Sequence, residues 1–186
     1  MDALEALHNR VSIGALGDPA PNSQQREAIF RAALRAADHG NLRPWRFLVV
    51  EGEARARMGE IYLKASESGE PLSEAQRERT LAMPLRAPLV VVAITCLQEH
   101  PKVPHNEQRM STAGAVQAML TAAFAEGVGA YWRTGALAEN RVVAEGLGLA
   151  ENEEISGFIY MGTPQKPPRP APDLAVADFF ADWTGE

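Results

Sequence analysis

This chain of 186 residues lacks several features that would have assigned it to a particular class of protein. Cys96 is the single cysteine, so an internal disulfide is impossible and a cytoplasmic location is expected. The longest apolar run, residues 87–97, is too short to cross a bilayer, and residues 1–5 lack the basic and apolar regions of a signal peptide. We therefore expect no association with a membrane.

Positive charge and familiar catalytic motifs are also scarce. The 18 Lys and Arg residues against 24 Asp and Glu give a net charge of −6, which argues against a nucleic-acid-binding surface. The sequence contains no G-x-G-x-x-G after a strand, no P-loop, no G-x-S-x-G and no C-x-x-C. Rossmann-type dinucleotide binding, P-loop hydrolysis and serine-hydrolase chemistry are therefore unsupported.

What is present is the pattern of one α+β domain spanning residues 1–186. An apolar fraction of 46% in a chain of this length is enough to build one core. A helix break is expected at residues 69–71. Apolar periodicity and capping residues predict helices at about 3–10, 22–37, 53–66, 73–83, 106–126 and 139–146, and strands at 45–50, 88–96, 130–133 and 155–161.

Two segments of the chain do not fit a simple packed core. Residues 53–86 carry many charges and are predicted to form a lid or a surface segment. Residues 164–183 are first proline-rich and then amphipathic, with rings at Phe179, Phe180 and Trp183. Because large exposed rings need a covering surface, this tail does not suit a lone monomer.

Two short segments carry groups that can bind an anionic ligand. Arg10 and Ser12 follow the first helix, where a guanidinium and a hydroxyl can hold phosphate oxygens. The alternative is a helix C-terminal arginine followed by a turn. Arg133 stands at the exit of a strand, after Tyr131 and Trp132 and close to a glycine. The alternative there is a surface salt bridge.

A third segment is the loop between the second helix and the first predicted strand. His39, Asn41 and Arg43 supply an imidazole, an amide and a guanidinium within five positions, between two rigid elements. Capping of the preceding helix is the open alternative for His39. His100 and His105 lie on a proline-containing loop without helical i, i+4 spacing, so no metal site is expected.

Seven stretches of the chain, taken in order, carry the motifs of one known family. They are residues 2–12, 35–39, 44–47 (Pro-Trp-Arg-Phe), 86–89 (Arg-Ala-Pro-Leu), 102–104, 132–136 (Trp-Arg-Thr-Gly-Ala) and 157–164. Each is weak alone, but the ordered set covers nearly the whole chain. It resembles the flavin-dependent nitroreductase family, and most closely its short YdjA-type branch of NAD(P)H nitroreductases.

The resemblance implies the nitroreductase fold, with a central, mostly antiparallel sheet flanked by helices, in a homodimer that binds FMN at the subunit interface. Arg10 and Ser12 would hold the phosphate and the ribityl chain. Tyr131, Trp132 and Arg133 would line the same ligand from the same subunit.

The partner subunit is expected to complete each site. Arg35 and His39 would reach in from the partner, and Asn41 would join them at the polar edge of the flavin ring. Arg35 is the leading candidate to stabilise the anionic reduced flavin, by resemblance. The tail, residues 164–186, would wrap around the other protomer and extend its sheet as a domain-swapped segment.

The implied reaction is a ping-pong hydride transfer that needs no catalytic side chain, because the flavin carries the chemistry. NAD(P)H would reduce the flavin and leave, and a small-molecule acceptor such as a nitroaromatic or a quinone would follow at the same face. The chain departs from the family pattern at Val11, Gly14 and Arg43. With glycine at position 14, Lys166 or Arg169 would supply one of the charges that hold the phosphate.

Three other interpretations remain open, and these departures favour the first of them. The first is a dimer that holds or senses flavin with little turnover. The second is a different flavin reaction on the same fold, with residues 53–86 as the substrate cover. The third is a dimeric scaffold without a cofactor.

Overall fold

The computed structural model describes residues 1–67 and 71–185, which contain seven α-helices and five β-strands. The helices are α1 (Ala3–Asn9), α2 (Ser23–Ala33), α3 (Glu53–Ser66), α4 (Glu74–Leu81), α5 (His105–Ala125), α6 (Ala136–Glu139) and α7 (Arg141–Gly146). The strands are β1 (Leu16–Gly17), β2 (Trp45–Glu51), β3 (Leu89–Cys96), β4 (Gly129–Arg133) and β5 (Glu153–Pro164).

The strands form an antiparallel sheet in the order β2-β3-β5-β4, and β1 pairs with the C-terminal end of β5. The register places Trp45 opposite Thr95 in the β2–β3 pair, and Leu89 opposite Met161 in the β3–β5 pair. Seven of the eight residues of β3 are buried, since helices cover both faces of this central strand. The expected antiparallel sheet flanked by helices is therefore confirmed.

Two apolar layers hold the helices against the sheet. Helices α2 and α5 cover one face, where Ile29, Val116 and Met119 pack against strand residues such as Ile159. Helices α3 and α7 cover the other face, with Tyr62 and other side chains packed against the strands. Helix α5 packs one side into the first of these layers, where Ala115, Val116 and Met119 are buried, while Met110 on another side is 65% exposed.

Several predicted boundaries were wrong. Helix α2 ends at Ala33 rather than near residue 37, because the N–H groups of Arg35 and Ala36 bond to carbonyl oxygens only three residues earlier, at Ala32 and Ala33. The predicted helix 139–146 is divided at Asn140, whose side chain accepts a hydrogen bond from Val142 N and begins a new helix, α7. Strand β1 was missed, since two residues carry no periodic signal.

Strand β5 is longer than predicted, because both of its ends find partners. It begins at Glu153, which pairs with Cys96 on β3, and it ends at Pro164, which pairs with Leu16 on β1. Residues 69 and 70 of the predicted helix break lie outside the described residues. After them, Ser73 begins α4 with a capping box, as its spacing to Gln76 predicted.

The C-terminal tail runs over the surface of the chain. Apart from a short 3-10 turn at Val176–Asp178, residues 165–185 form no regular element, and nearly all of them are exposed. Phe179, Phe180 and Trp183 are 69%, 76% and 89% exposed. In the described chain no helix combines the length and the apolar character needed to cross a membrane.

Candidate functional site

The candidate site is built around β4, which pairs only with β5 in the described part of the main sheet. Side chains alternate along a strand, so Tyr131 and Arg133 face one side of the sheet and Trp132 faces the other. Tyr131 lies opposite Tyr160, and Arg133 opposite Phe158, over the core that is covered by α3.

Trp132 is held in the core rather than turned toward the same side as its neighbours. Its indole Nε1 donates a hydrogen bond to the Ser156 carbonyl oxygen at 3.1 Å, and the ring packs against the layer beneath α2 and α5. The indole passes directly over Gly157 (φ +147°), where a Cβ atom would lie 2.1 Å from Nε1. Of the predicted trio, only Tyr131 and Arg133 therefore turn toward the α3 side.

The segment that contains Arg10 and Ser12 runs alongside β4. The N–H of Arg10 bonds to the Ala6 carbonyl oxygen and closes α1, so its backbone has the helix-ending role considered above. Ile13 N donates to the Ala130 carbonyl oxygen at 2.9 Å and ties the segment to the strand. Gly14 lies against Tyr131, since a Cβ there would be 3.2 Å from a ring carbon.

A cavity of about 330 Å³ opens beside this segment, and we call it the Ser12 cavity. Ser12 and Gly14 line one side of it, and Lys166 and Arg169 line the other. The tail therefore brings two positive charges to the place where the sequence lacks one at Gly14. Arg10 does not line this cavity in the isolated chain.

A second cavity, of about 310 Å³, opens beyond the other end of β4, and we call it the Arg133 cavity. Its cationic side chains come from three elements: Arg133 from β4, Arg79 from α4, and Arg86 from the turn before β3. The phenol rings of Tyr62 and Tyr160 and the rings and chains of Phe158, Leu137 and Met83 form its remaining wall.

Arg133 is fixed in this cavity by aromatic rings rather than by an acid. Its guanidinium carbon lies 4.4 Å from the centroid of the Tyr131 ring and 5.5 Å from that of Tyr160. The buried Nε atom of Arg133 has no hydrogen-bond partner among the described residues. In the described chain Arg133 forms no salt bridge, which was the alternative role considered for it.

The two phenols of the Arg133 cavity remain protonated donors over the whole physiological range. Burial raises the pKa of Tyr62 far above its ordinary value, and the neighbouring Tyr160 adds to the effect. Burial also raises the pKa of Tyr160, although the positive charges of Arg133 and Arg86 oppose this change. The hydroxyl of Tyr62 is buried and finds no hydrogen-bond partner within residues 1–67 and 71–185.

The loop before β2 forms a third cavity, of about 390 Å³, which we call the loop cavity. Arg35, Asn41 and Arg43 line it together with Asp38 and Trp45. Asn41 (φ 55°) and Arg43 (φ 48°) both adopt the left-handed region, which costs a non-glycine residue about 1–2 kcal/mol. The hydrogen bond from Arg43 N to Asp38 Oδ2, at 2.7 Å, holds this shape.

His39 lies on the same loop but outside the loop cavity. Its Nδ1 lies 2.7 Å from Oε2 of Glu107, at the start of α5. This contact fixes the orientation of the imidazole, although the side chain is 56% exposed. The contact also joins the loop to the central helix, in place of the helix-capping role considered for His39.

The structure therefore divides the predicted site residues into two groups at opposite edges of the sheet. Ser12, Tyr131 and Arg133 belong to the β4 edge, whereas Arg35 and Asn41 belong to the β2 edge. Two strands, β3 and β5, lie between these edges. Three strand spacings amount to about 14 Å. One chain does not bring the two groups together.

Sequence reasoning missed Arg79 and Arg86 as members of a cavity. Both fall in the segment that was predicted to be a lid or surface, and the pattern of charges did not separate them from their solvated neighbours. Arg86 begins one of the family-like stretches, which was a usable signal, while Arg79 had none. No group of three or more His, Cys, Asp or Glu side chains suited to a metal occurs in the described residues.

Comparison with known proteins assigns the chain to a family. Residues 7–163 match the model of the nitroreductase family. The chain is 44% identical over 165 residues to the Escherichia coli protein named "Putative NAD(P)H nitroreductase YdjA", an alignment that covers 89% of this chain and 90% of the relative. The chain belongs to the nitroreductase family, as its ordered motifs predicted.

Solved structures agree with the fold. A nitroreductase-like family protein from Bacillus cereus superposes with a TM-score of 0.83 at 21% identity, covering 100% of this chain and 97% of the other. A protein from Desulfovibrio desulfuricans described as "a putative nitroreductase in complex with FMN" superposes with a TM-score of 0.75 at 19% identity, covering 98% of this chain and 97% of the other. At these identities the likeness establishes the fold alone.

Proposed function

We propose that this protein is an FMN-dependent NAD(P)H oxidoreductase that passes two electrons to a small acceptor such as a nitroaromatic or a quinone. For a nitro group the balanced reaction takes NAD(P)H and one proton and gives a nitroso group, NAD(P)⁺ and water. The family membership and the FMN-containing structural neighbour support the cofactor. A cytoplasmic location is proposed with it, from the single cysteine.

The observation that carries the proposal is the arrangement of two cationic cavities at the two ends of β4. FMN is an elongated ligand, with an anionic phosphate at one end and a flat ring at the other. The Ser12 cavity offers a hydroxyl and the charges of Lys166 and Arg169 to a phosphate. At the far end of β4, the unpartnered Nε of Arg133 offers a donor to a polar ring edge.

The residues present therefore fit an FMN molecule that lies along β4. Between the cavities, the contact of Gly14 with Tyr131 brings the two segments together, and the ribityl chain would lie beside them. We retain Arg10 as a phosphate-binding residue, since it stands two residues before Ser12, which lines the Ser12 cavity. Trp132 would contribute its backbone, because its indole is held by Ser156.

We propose that a second copy of the chain completes each site. Arg35, His39 and Asn41 lie at the β2 edge, so they reach a flavin on β4 only from the partner subunit. The exposed rings of the tail, residues 164–186, need a covering surface, and we propose that the tail wraps around the partner and extends its sheet. The chain is then a single domain with an exchanged tail.

Bound FMN would supply the electron transfer between nicotinamide and acceptor in a ping-pong sequence. The chain's own residues bind the cofactor, exclude water and place positive charge at the ring. Arg35 of the partner subunit is proposed to face the pyrimidine edge, where a fixed cation in a dry site acts strongly on developing negative charge. No side-chain nucleophile or metal is required.

The test begins with the phosphate end. We expect the purified protein to bind FMN, and Arg169→Ala and Ser12→Ala to weaken FMN binding by about tenfold or more, as loss of a charge-assisted hydrogen bond predicts. Their affinity for riboflavin, which lacks the phosphate, should not change. Arg31→Ala, at an exposed arginine that pairs with Glu27, is the control. Equal losses for FMN and riboflavin would contradict the assignment of the phosphate.

The second test concerns the partner residues and turnover. Arg35→Ala should slow anaerobic reduction of the flavin by NADPH or NADH and lower its potential while FMN remains bound. Unchanged rate and potential would reject the role of Arg35. A flavin that binds but is not reduced by either nicotinamide would favour a sensing dimer. A monomer without FMN affinity would overturn the proposed function.

A further inference from the structure

The Arg133 cavity has a charge composition that FMN binding alone does not explain. Arg79, Arg86 and Arg133 line it, and its lining contains no carboxylate among the described residues. Within residues 1–67 and 71–185, none of the three arginines forms an ion pair, although six other arginines of the chain do. Three guanidiniums that converge without an acid make a site for an anion.

The rest of the wall suits a flat apolar body. Phe158, Leu137 and Met83 supply apolar contact, and the rings of Tyr62 and Tyr160 stand at the side. The volume of about 310 Å³ lies at the small end of ligand sites, which fits one aromatic ring with a substituent. A larger body such as a nucleotide would not be enclosed by it.

Two buried polar atoms point to a ligand inside this cavity. Tyr62 lines the cavity and is only 1% exposed, yet its hydroxyl has no hydrogen-bond partner in the described chain. The Nε atom of Arg133 is also buried and also lacks a hydrogen-bond partner in the described chain. A buried donor without a partner destabilises the fold. A carboxylate in the cavity would accept from the Tyr62 hydroxyl, whereas the Arg133 Nε donor is assigned to the flavin ring edge.

We propose that the Arg133 cavity recognises the carboxylate of an aromatic acid, so that the electron acceptor of this enzyme is anionic. Arg79 and Arg86, which stand on the exposed rim, would hold the carboxylate, and Arg133 would separate it from the flavin. The inference rests on the proposed function for its link to electron transfer, since Arg133 also forms the end of β4 where the flavin ring is proposed. The binding of an aromatic carboxylate can be measured independently of turnover.

The binding experiment compares benzoate with benzamide, its neutral counterpart of the same shape. Isothermal titration of the protein with FMN present should show benzoate binding at least about tenfold more tightly than benzamide, as charge-assisted hydrogen bonds predict. Arg79→Gln combined with Arg86→Gln should reduce this ratio to near unity. Arg57→Gln, at an exposed arginine of the adjacent helix α3 that does not line the cavity, should leave the ratio unchanged.

The kinetic experiment compares 4-nitrobenzoate with 4-nitrobenzamide as acceptors. The ratio of their kcat/KM values should favour the acid by about tenfold or more in the natural protein and collapse in the double variant, with the amide rate little changed. Equal losses for both acceptors, together with a shifted flavin potential, would mean that the arginines act on the flavin itself and would overturn the proposal. The proposal would also be overturned if the double variant lost a preference for NADPH over NADH while the ratio of the two acceptors stayed unchanged. The anion bound by the arginines would then be the nucleotide phosphate.

The outcomes separate this inference from the proposed function. If FMN binds and is reduced, but benzoate and benzamide bind equally, the carboxylate site is wrong and the oxidoreductase remains. If benzoate binds through Arg79 and Arg86 but FMN does not bind at all, the oxidoreductase is wrong and the carboxylate site remains. Tyr62→Phe gives a second readout, with a smaller loss of benzoate affinity because one donor is removed.

Discussion

Replacing Gly157 with alanine is the sharpest test of how β4 is held. An added Cβ would lie 2.1 Å from Trp132 Nε1, 2.6 Å from its Cδ1 and 2.8 Å from the Arg133 carbonyl oxygen. The last of these atoms is backbone of the paired strand, so it cannot move aside alone. Either the indole leaves its place over β5 or the two strands separate.

The expected loss of stability has two parts. Overpacking a rigid core costs about 1–3 kcal/mol, and a side chain in a backbone region that favours glycine costs on the order of 1–3 kcal/mol. For a chain of this size each kcal/mol lowers Tm by about 2–4 °C. A loss of about 4 kcal/mol therefore lowers the Tm of Gly157→Ala by roughly 8–16 °C.

Gly148→Ala separates the clash from the backbone strain. Gly148 also has a positive φ, of 75°, but a Cβ there would meet nothing within 4 Å. Its substitution should cost about 1–2 kcal/mol from the left-handed conformation alone. Differential scanning calorimetry measures both, and FMN titration should show weakened binding for Gly157→Ala alone. Equal Tm losses in the two variants would refute the account of Trp132 packing.

Three further outcomes follow from the contacts described. Arg46 forms a bidentate pair with Glu153, with Nε and Nη2 each 2.6 Å from a carboxylate oxygen, and this pair lowers the pKa of Glu153 from 4.5 to about 2. The contribution of the pair to stability is therefore complete above pH 4.5 and is lost as the pH falls toward 2. Glu153→Gln should flatten the fall of Tm at acid pH, and an unaltered fall would contradict the pairing. Burial raises the pKa of the Cys96 thiol to about 11. A thiol reagent at pH 8 should therefore label the folded protein slowly and the urea-unfolded protein fast, and equal labelling rates would count against this burial. Removal of residues 173–186 should convert the proposed dimer into monomers, because the exposed rings of the tail are removed with them. Light scattering measures the change in mass, and an unchanged dimer would show that the tail is dispensable for assembly.

The sequence predicted the four longer strands from their apolar runs and α5 from its apolar periodicity, whereas the antiparallel sheet was expected only from the resemblance to the family. The run at residues 89–96 is apolar apart from Thr95, as expected for a strand covered on both faces. The sequence did not predict the end of α2 at Ala33, since residues 34–37 remain good helix formers and the turn there is decided by the path to β2. Local propensity was overridden by topology.

The candidate site was harder to predict, for a related reason. Motifs located Ser12, Arg133 and the loop residues, but a motif does not say on which face of a strand a side chain lies. Trp132 stands between two site-facing residues in sequence, yet alternation and Gly157 direct its indole into the opposite layer. Arg79 and Arg86 come together only because α4 and the turn before β3 fold over the same cavity.

The placement of the two residue groups at opposite sheet edges has a genetic consequence. If each pocket draws one group from either subunit, two differently inactivated chains can rescue one another. A mixed dimer of an Arg35→Ala chain and a Ser12→Ala chain has one pocket carrying both defects and one carrying none. Random reassembly of equal amounts would then restore about a quarter of the normal number of intact pockets, although neither parent has any.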